Sequence, residues 1–165
     1  MAHHRDIIPE DGAIRVLVEI LGFSNPNHAN GISTALSKVN THFDKRFAVV
    51  IIDDDKRKPK LFDQYRLTLR QEYGLQLRQK PESLHFLILI SPAIEDWLLE
   101  NARAIDVVFA GLETRKDLMR ITKDELEVEK NPLFRKYLND LKQKQAPGFK
   151  SMSGWIHELR EKHAW

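Results

Sequence analysis

The sequence predicts a small α/β domain, a mainly parallel sheet with helices on both faces and a helical C-terminal extension. Three observations predict it. Two short runs, RFAVVIID (46–53) and LHFLILI (84–90), are apolar at nearly every position, the mark of strands covered on both faces. A third run, AIRVLVEIL (13–21), is rich in β-branched residues and follows an Asp-Gly pair, so it reads as a strand too. Stretches with helical spacing separate the three, and alternation of strand and helix implies parallel strands joined by crossovers.

Taken in order, residues 1–12 (MAHHRDIIPEDG) lack the apolar centre of a signal peptide and read as a flexible lead-in. Strand 13–21 comes next, then a loop, GFSNPNHANG, dense in Gly, Asn and Pro. In ISTALSKVNTHFDK, Ile32, Leu36, Val39 and Phe43 fall at helical spacing. After the second strand, PKLFDQYRLTLRQEYG (59–74) reads as a helix. Leu61, Phe62, Tyr65, Leu69 and Tyr73 form its stripe, with Pro59 at the start and Gly74 at the stop. LQLRQK is a short extended piece before the third strand. SPAIEDWLLENAR reads as a helix with Ser91 as N-cap, Pro92 at the first position, and Glu95 and Asp96 in the first turn. AIDVVFAGL (104–112) fits either a fourth strand or the end of that helix. From residue 113 the chain is highly charged and reads as helices, closing with one in which Trp155, Ile156 and Leu159 pack inward. The organisation expected is an α/β domain over 13–112 with a helical part, 113–165, packed on it.

The chain has 165 residues, 42% of them apolar and 30% charged, which suits one globular domain rather than a disordered chain. A formal net charge of +2 is too small to argue for nucleic acid or membrane by itself. There is no cysteine, so disulfides and thiolate metal sites are excluded, and a reducing, cytoplasmic setting is expected. No apolar run approaches the ~20 residues that span a bilayer, so no membrane is expected as a partner.

The chemistry concentrates at FAVVIIDDDKRKPK, where an apolar strand ends on Asp53, Asp54 and Asp55 and runs into basic residues. In such sheets ligands bind beyond the carboxyl ends of the strands. Glu19 near the end of the first strand, the aspartates after the second and Glu95 after the third would meet there. Crowded carboxylates repel, and a hard cation such as Mg²⁺ is the common remedy. Residues one apart on an extended chain point the same way, so Asp53 and Asp55 can reach one ion while Asp54 faces away. Equally, the aspartates can cap the following helix and pair with Lys56, Arg57 or Lys58. Glu19 tips the balance toward metal, because a charge inside an apolar run needs a partner. Lys56, Arg57, Lys58 and Lys60 form either a solvated turn or a phosphate-contacting patch. His28 and His42 fit surface positions, since Mg²⁺ avoids imidazole.

These residues resemble the Toprim domain, the α/β module of topoisomerases, bacterial primases, OLD-family nucleases and related ribonucleases. The family pattern is a glutamate ending the first strand and a D-x-D after a later one. VLVEILG would supply Glu19, and VVIIDDDK would supply Asp53 and Asp55. SPAIEDWLLENA is similar to the segment after the third strand in Toprim-like proteins of bacterial defence and mobile elements, with Glu95 facing the site. The sequence departs from the pattern after Glu19, where Ile20-Leu21-Gly22 replace the usual Gly and Thr-Asp. The resemblance implies Mg²⁺- or Mn²⁺-dependent phosphodiester hydrolysis or phosphotransfer on DNA or RNA. Glu19, Asp53 and Asp55 would be catalytic and metal-binding, and Glu95 a further ligand. The other reading is a non-catalytic Toprim-like module that works with a partner protein or as a homodimer. A receiver-like phospho-acceptor domain also gathers aspartates, but it takes an acidic pair from its first strand, where this chain offers Glu19 alone.

Overall fold

The computed structural model describes residues 3–55, 57–124 and 126–164. Five strands form one mixed sheet: β1 (Ile7–Pro9), β2 (Ala48–Asp53), β3 (Leu67–Glu72), β4 (Leu75–Gln79) and β5 (His85–Ile90), in the spatial order β1-β2-β5-β4-β3. β1, β2 and β5 run parallel; β4 and β3 extend the sheet antiparallel. Among the described residues there are six α-helices: α1 (Gly12–Ile20), α2 (Ile32–His42), α3 (Ile94–Ala104), α4 (Arg115–Thr122), α5 (Pro132–Gln143) and α6 (Pro147–His163). No helix is long and apolar enough to cross a membrane.

Every residue of β2 and β5 is buried, as their unbroken apolar runs require. Alternate residues of β2 join different clusters, because successive strand side chains point to opposite faces. Val49 and Ile51 pack with residues of α1, α3, α5 and α6. Ala48, Val50 and Ile52 pack with Ile32, Ala35, Leu36 and Val39 of α2. The closing helix buries Trp155, Ile156 and Leu159, as expected.

Several elements differ from the sequence expectation. Residues 13–21 are not a strand but α1 and its C-cap, Leu21. Asp11 is the N-cap, its carboxylate accepting from the Ile14 N–H at 3.0 Å. The run is rich in β-branched residues because α1 is covered nearly all round, by the sheet and by α5 with Val128, and an enclosed helix is apolar on most of its faces. The strand that precedes it lies in the supposed lead-in: Ile7 and Ile8 are fully buried in β1, and Glu10 and Asp11 are buried behind it.

Residues 59–74 are not a helix either. A short 3-10 turn, Lys60–Gln64, leads into the β3–β4 hairpin. The decisive pattern is the period-2 placement of Leu75 and Leu77, whose side chains enter the core from β4. Tyr73 (φ 48°) and Gly74 (φ 76°) make the two-residue turn, both in the left-handed region that such hairpins require. Residues 104–112 continue neither as strand nor as helix beyond Ala104.

Gly74 is fixed twice over. A Cβ there would lie 2.9 Å from the Ser91 carbonyl oxygen and 2.9 Å from Trp97 Cδ1. Gly74→Ala is therefore expected to destabilise the protein by about 1–3 kcal/mol, read from the urea midpoint at unchanged m-value.

Candidate metal centre

Because β1, β2 and β5 are parallel, their C-terminal ends share one edge of the sheet, where α/β folds place ligands. Glu10 follows β1 directly, Asp53 ends β2, and α3 begins four residues after β5. Asp53 ties these elements together. Its backbone N–H donates to Glu10 Oε2 at 2.8 Å, and its Oδ1 accepts from the Ile94 N–H at 3.1 Å. Asp53 thus caps α3 from a neighbouring strand. Ala93, not Ser91, holds the N-cap position, without a side-chain bond, and Ser91, which precedes a cis Ser91–Pro92 peptide, donates instead to Asp54 Oδ2 at 2.9 Å.

Ligand oxygens of Asp53, Asp55 and Glu95 all lie within 4.8 Å of one another. Glu95 sits in the first turn of α3 with no exposed surface. One of its oxygens, Oε1, accepts from Thr122 Oγ1 at 2.7 Å. The other, Oε2, is buried with no hydrogen-bond partner among the described residues. A buried carboxylate oxygen left in that state is costly, and what it lacks is a donor or a cation. Three carboxylates offer only hard oxygen donors, so the group could hold a hard metal ion. Lys123 Nζ stands 3.3 Å from Asp55 Oδ2 and 3.8 Å from Glu95 Oε1.

The electrostatics follow from this crowding. The Asp53 carboxyl is pushed up to about 7, first by burial and then by the charge of Asp55, with Glu95 and Glu10 adding to it. The Ile94 N–H opposes the shift without cancelling it. Burial and like charge therefore favour the protonated form of Asp53.

Of the residues expected at this edge, Asp53, Asp55 and Glu95 are brought together. Asp54 turns away, as the D-x-D geometry requires, and pairs with Lys58. Glu19 does not come to the edge as a strand-end residue. It lies in the last turn of α1, seven residues and roughly 10 Å of helix beyond Gly12, where Arg15 Nε contacts its Oε1 at 3.3 Å. Its charge inside an apolar run has a partner one helical turn back. The glutamate that does follow the first strand is Glu10, which sequence reasoning passed over because the strand is only three residues long. Thr122 and Lys123 were also passed over; nothing local marks them, since they meet the site through the packing of α4 on α3. Arg57 and Lys60 are exposed in the segment leaving β2, and Lys56 lies outside the described residues. No protein-family model, no curated protein and no solved structure matches the chain.

The pKa shift of Asp53 carries a sign. Its folded value lies above the ordinary 3.8, so the folded state holds the proton more tightly than the unfolded chain. The resulting stabilisation is fully present below about pH 4 and is lost as pH rises through about 7. In metal-free protein, Asp53→Asn is expected to gain stability relative to wild type between pH 4 and 8, by roughly 2–4 kcal/mol. Urea denaturation of both proteins across that range checks it; parallel pH profiles would contradict the assignment.

Proposed function

We propose that this chain is a Mg²⁺- or Mn²⁺-dependent phosphodiesterase of Toprim type, acting on nucleic acid, with Glu10 rather than Glu19 as the glutamate after the first strand. One observation carries the reading: the converging oxygens of Asp53, Asp55 and Glu95, with the buried Glu95 Oε2 lacking a partner among the described residues. Their place at the common edge of three parallel strands supports it.

Asp53, Asp55 and Glu95 would hold the ion. When bound, such an ion supplies a Lewis acid for a phosphoryl oxygen and a lowered pKa for water. Glu10 holds the Asp53 backbone in place and adds negative charge behind it. Thr122 fixes one Glu95 oxygen, so that the other is left for the ion. The positive end of α3 faces the carboxylates and offsets part of their repulsion. Arg57 and Lys60, exposed in the segment that leaves β2, would supply positive charge for phosphates. The division of β2 side chains between two clusters supports helices on both faces of the sheet.

A second reading has an observation of its own. Lys123 already neutralises part of the cluster, as in a module that keeps the fold and binds a partner protein without doing chemistry.

The test joins Mn²⁺ titration by calorimetry with cleavage of single- and double-stranded DNA and RNA. Wild type is expected to bind Mn²⁺ and to cut at least one substrate. Asp53→Asn with Asp55→Asn should lower cleavage about 100-fold or more and weaken binding, whereas Glu19→Gln should leave both unchanged. Binding without cleavage of any substrate selects the module. Absence of Mn²⁺ binding overturns both the metal centre and the hydrolase.

A further inference from the structure

We infer that Lys123 is the resident cation of the acidic cluster in the metal-free protein, and that a divalent ion binds by displacing its ammonium while Thr122 keeps its hold on Glu95. The displacement rests on the reading of Asp53, Asp55 and Glu95 as a metal centre; the resident-cation role does not.

α4 is clamped to consecutive residues at the start of α3. Near its N-terminus, Arg115 Nε donates to Asp96 Oδ2 at 3.1 Å. At its C-terminus, Thr122 Oγ1 donates to Glu95 Oε1 at 2.7 Å. The next residue, Lys123, caps the helix with its backbone N–H on the Met119 carbonyl at 3.0 Å, so the helix itself fixes where the ammonium starts from. That ammonium lies 3.3 Å from Asp55 Oδ2 and 3.8 Å from Glu95 Oε1, two of the carboxylates that would hold the ion. A second cation brought to the same oxygens would meet it at contact distance, where like charges repel unless one leaves.

Lys123 is suited to leave. Its ammonium is a compact, strongly hydrated charge on a flexible stem, and its side chain is 45% exposed, while Glu95 is wholly buried. It is also an incomplete substitute for an ion. It approaches Glu95 through Oε1, already bonded to Thr122, and leaves the buried Oε2 without a partner among the described residues. The lysine compensates charge; the orphan oxygen still favours the ion that would replace it.

The test uses the full chain and Mn²⁺ alone as the probe. By calorimetry, Lys123→Met should bind Mn²⁺ about five- to tenfold more tightly than wild type, and Lys123→Arg should bind as wild type does. Unchanged or weaker binding by Lys123→Met overturns the displacement. A metal-free double-mutant cycle tests the resident cation separately. Lys123→Met should lower Tm in the wild-type background and should not lower it in an Asp55→Asn, Glu95→Gln background. An equal loss in both backgrounds overturns the role. If neither protein binds Mn²⁺, the metal-centre reading fails and takes the displacement with it, while the Tm cycle still decides whether Lys123 is the counter-ion.

Discussion

A single buried carboxylate, that of Asp53, sets the terms for this fold and for its site. Its residue ends the central parallel strand and donates its backbone N–H to Glu10 after β1, and the carboxylate caps α3 after β5. Three elements far apart in sequence are thereby pinned at one point. An uncharged residue such as Asn or Ser would cap α3 equally well by the same geometry. Asp53 instead brings a charge into a buried place already shared with Glu10, Glu95 and Asp55. Burial and like charge both disfavour that arrangement, so the local structure is less stable than an uncharged version of itself. The two apolar clusters on β2 and β5 are extensive enough to offset it. Such a concentration of unfavourable charge at the ligand-binding edge of a sheet is where function is expected.

How much of this was legible in the sequence depended on which periodicity was unambiguous. β2 and β5 were legible because their short runs are apolar at nearly every position and bounded by turn residues, as strands covered on both faces are. The stretch 13–21 was not, because enclosure on all sides gives a helix the same composition as a buried strand. The Asp11-Gly12 pair before it fits the approach to a strand, whereas Asp11 is a helix cap. In 59–74 a chance stripe from Leu61 to Tyr73 matched helical spacing, while the hairpin was set by Leu75 and Leu77 beyond it. A tyrosine in the left-handed turn position is an unusual signal and easily overlooked.

The site divided in the same way. Asp53 and Asp55 were legible as a pair because spacing along one extended strand end is local information. Glu95 was legible as a first-turn residue of α3. Glu19 was misplaced because its strand was misassigned, and its i,i+4 pairing with Arg15 explains its charge without any ligand. Thr122 and Lys123 reach Glu95 from 27 and 28 positions away by helix packing, which no pattern in one sequence reports.

The supports of the cluster differ in stiffness, and this bears on what it can do. Glu95 stands two residues before Trp97, whose indole N–H donates to the Tyr73 carbonyl at 2.8 Å and whose ring stacks on Phe149 of α6. The hairpin, α6 and Thr122 therefore hold the start of α3 from three directions. Asp53 is equally constrained by Glu10 and Ile94. Asp55 and Lys123, by contrast, keep part of their side chains exposed, and they pair with each other at 3.3 Å. In the proposed centre the two tightly held carboxylates would set where an ion sits, and the partly exposed carboxylate–lysine pair is where the exchange of cations would take place.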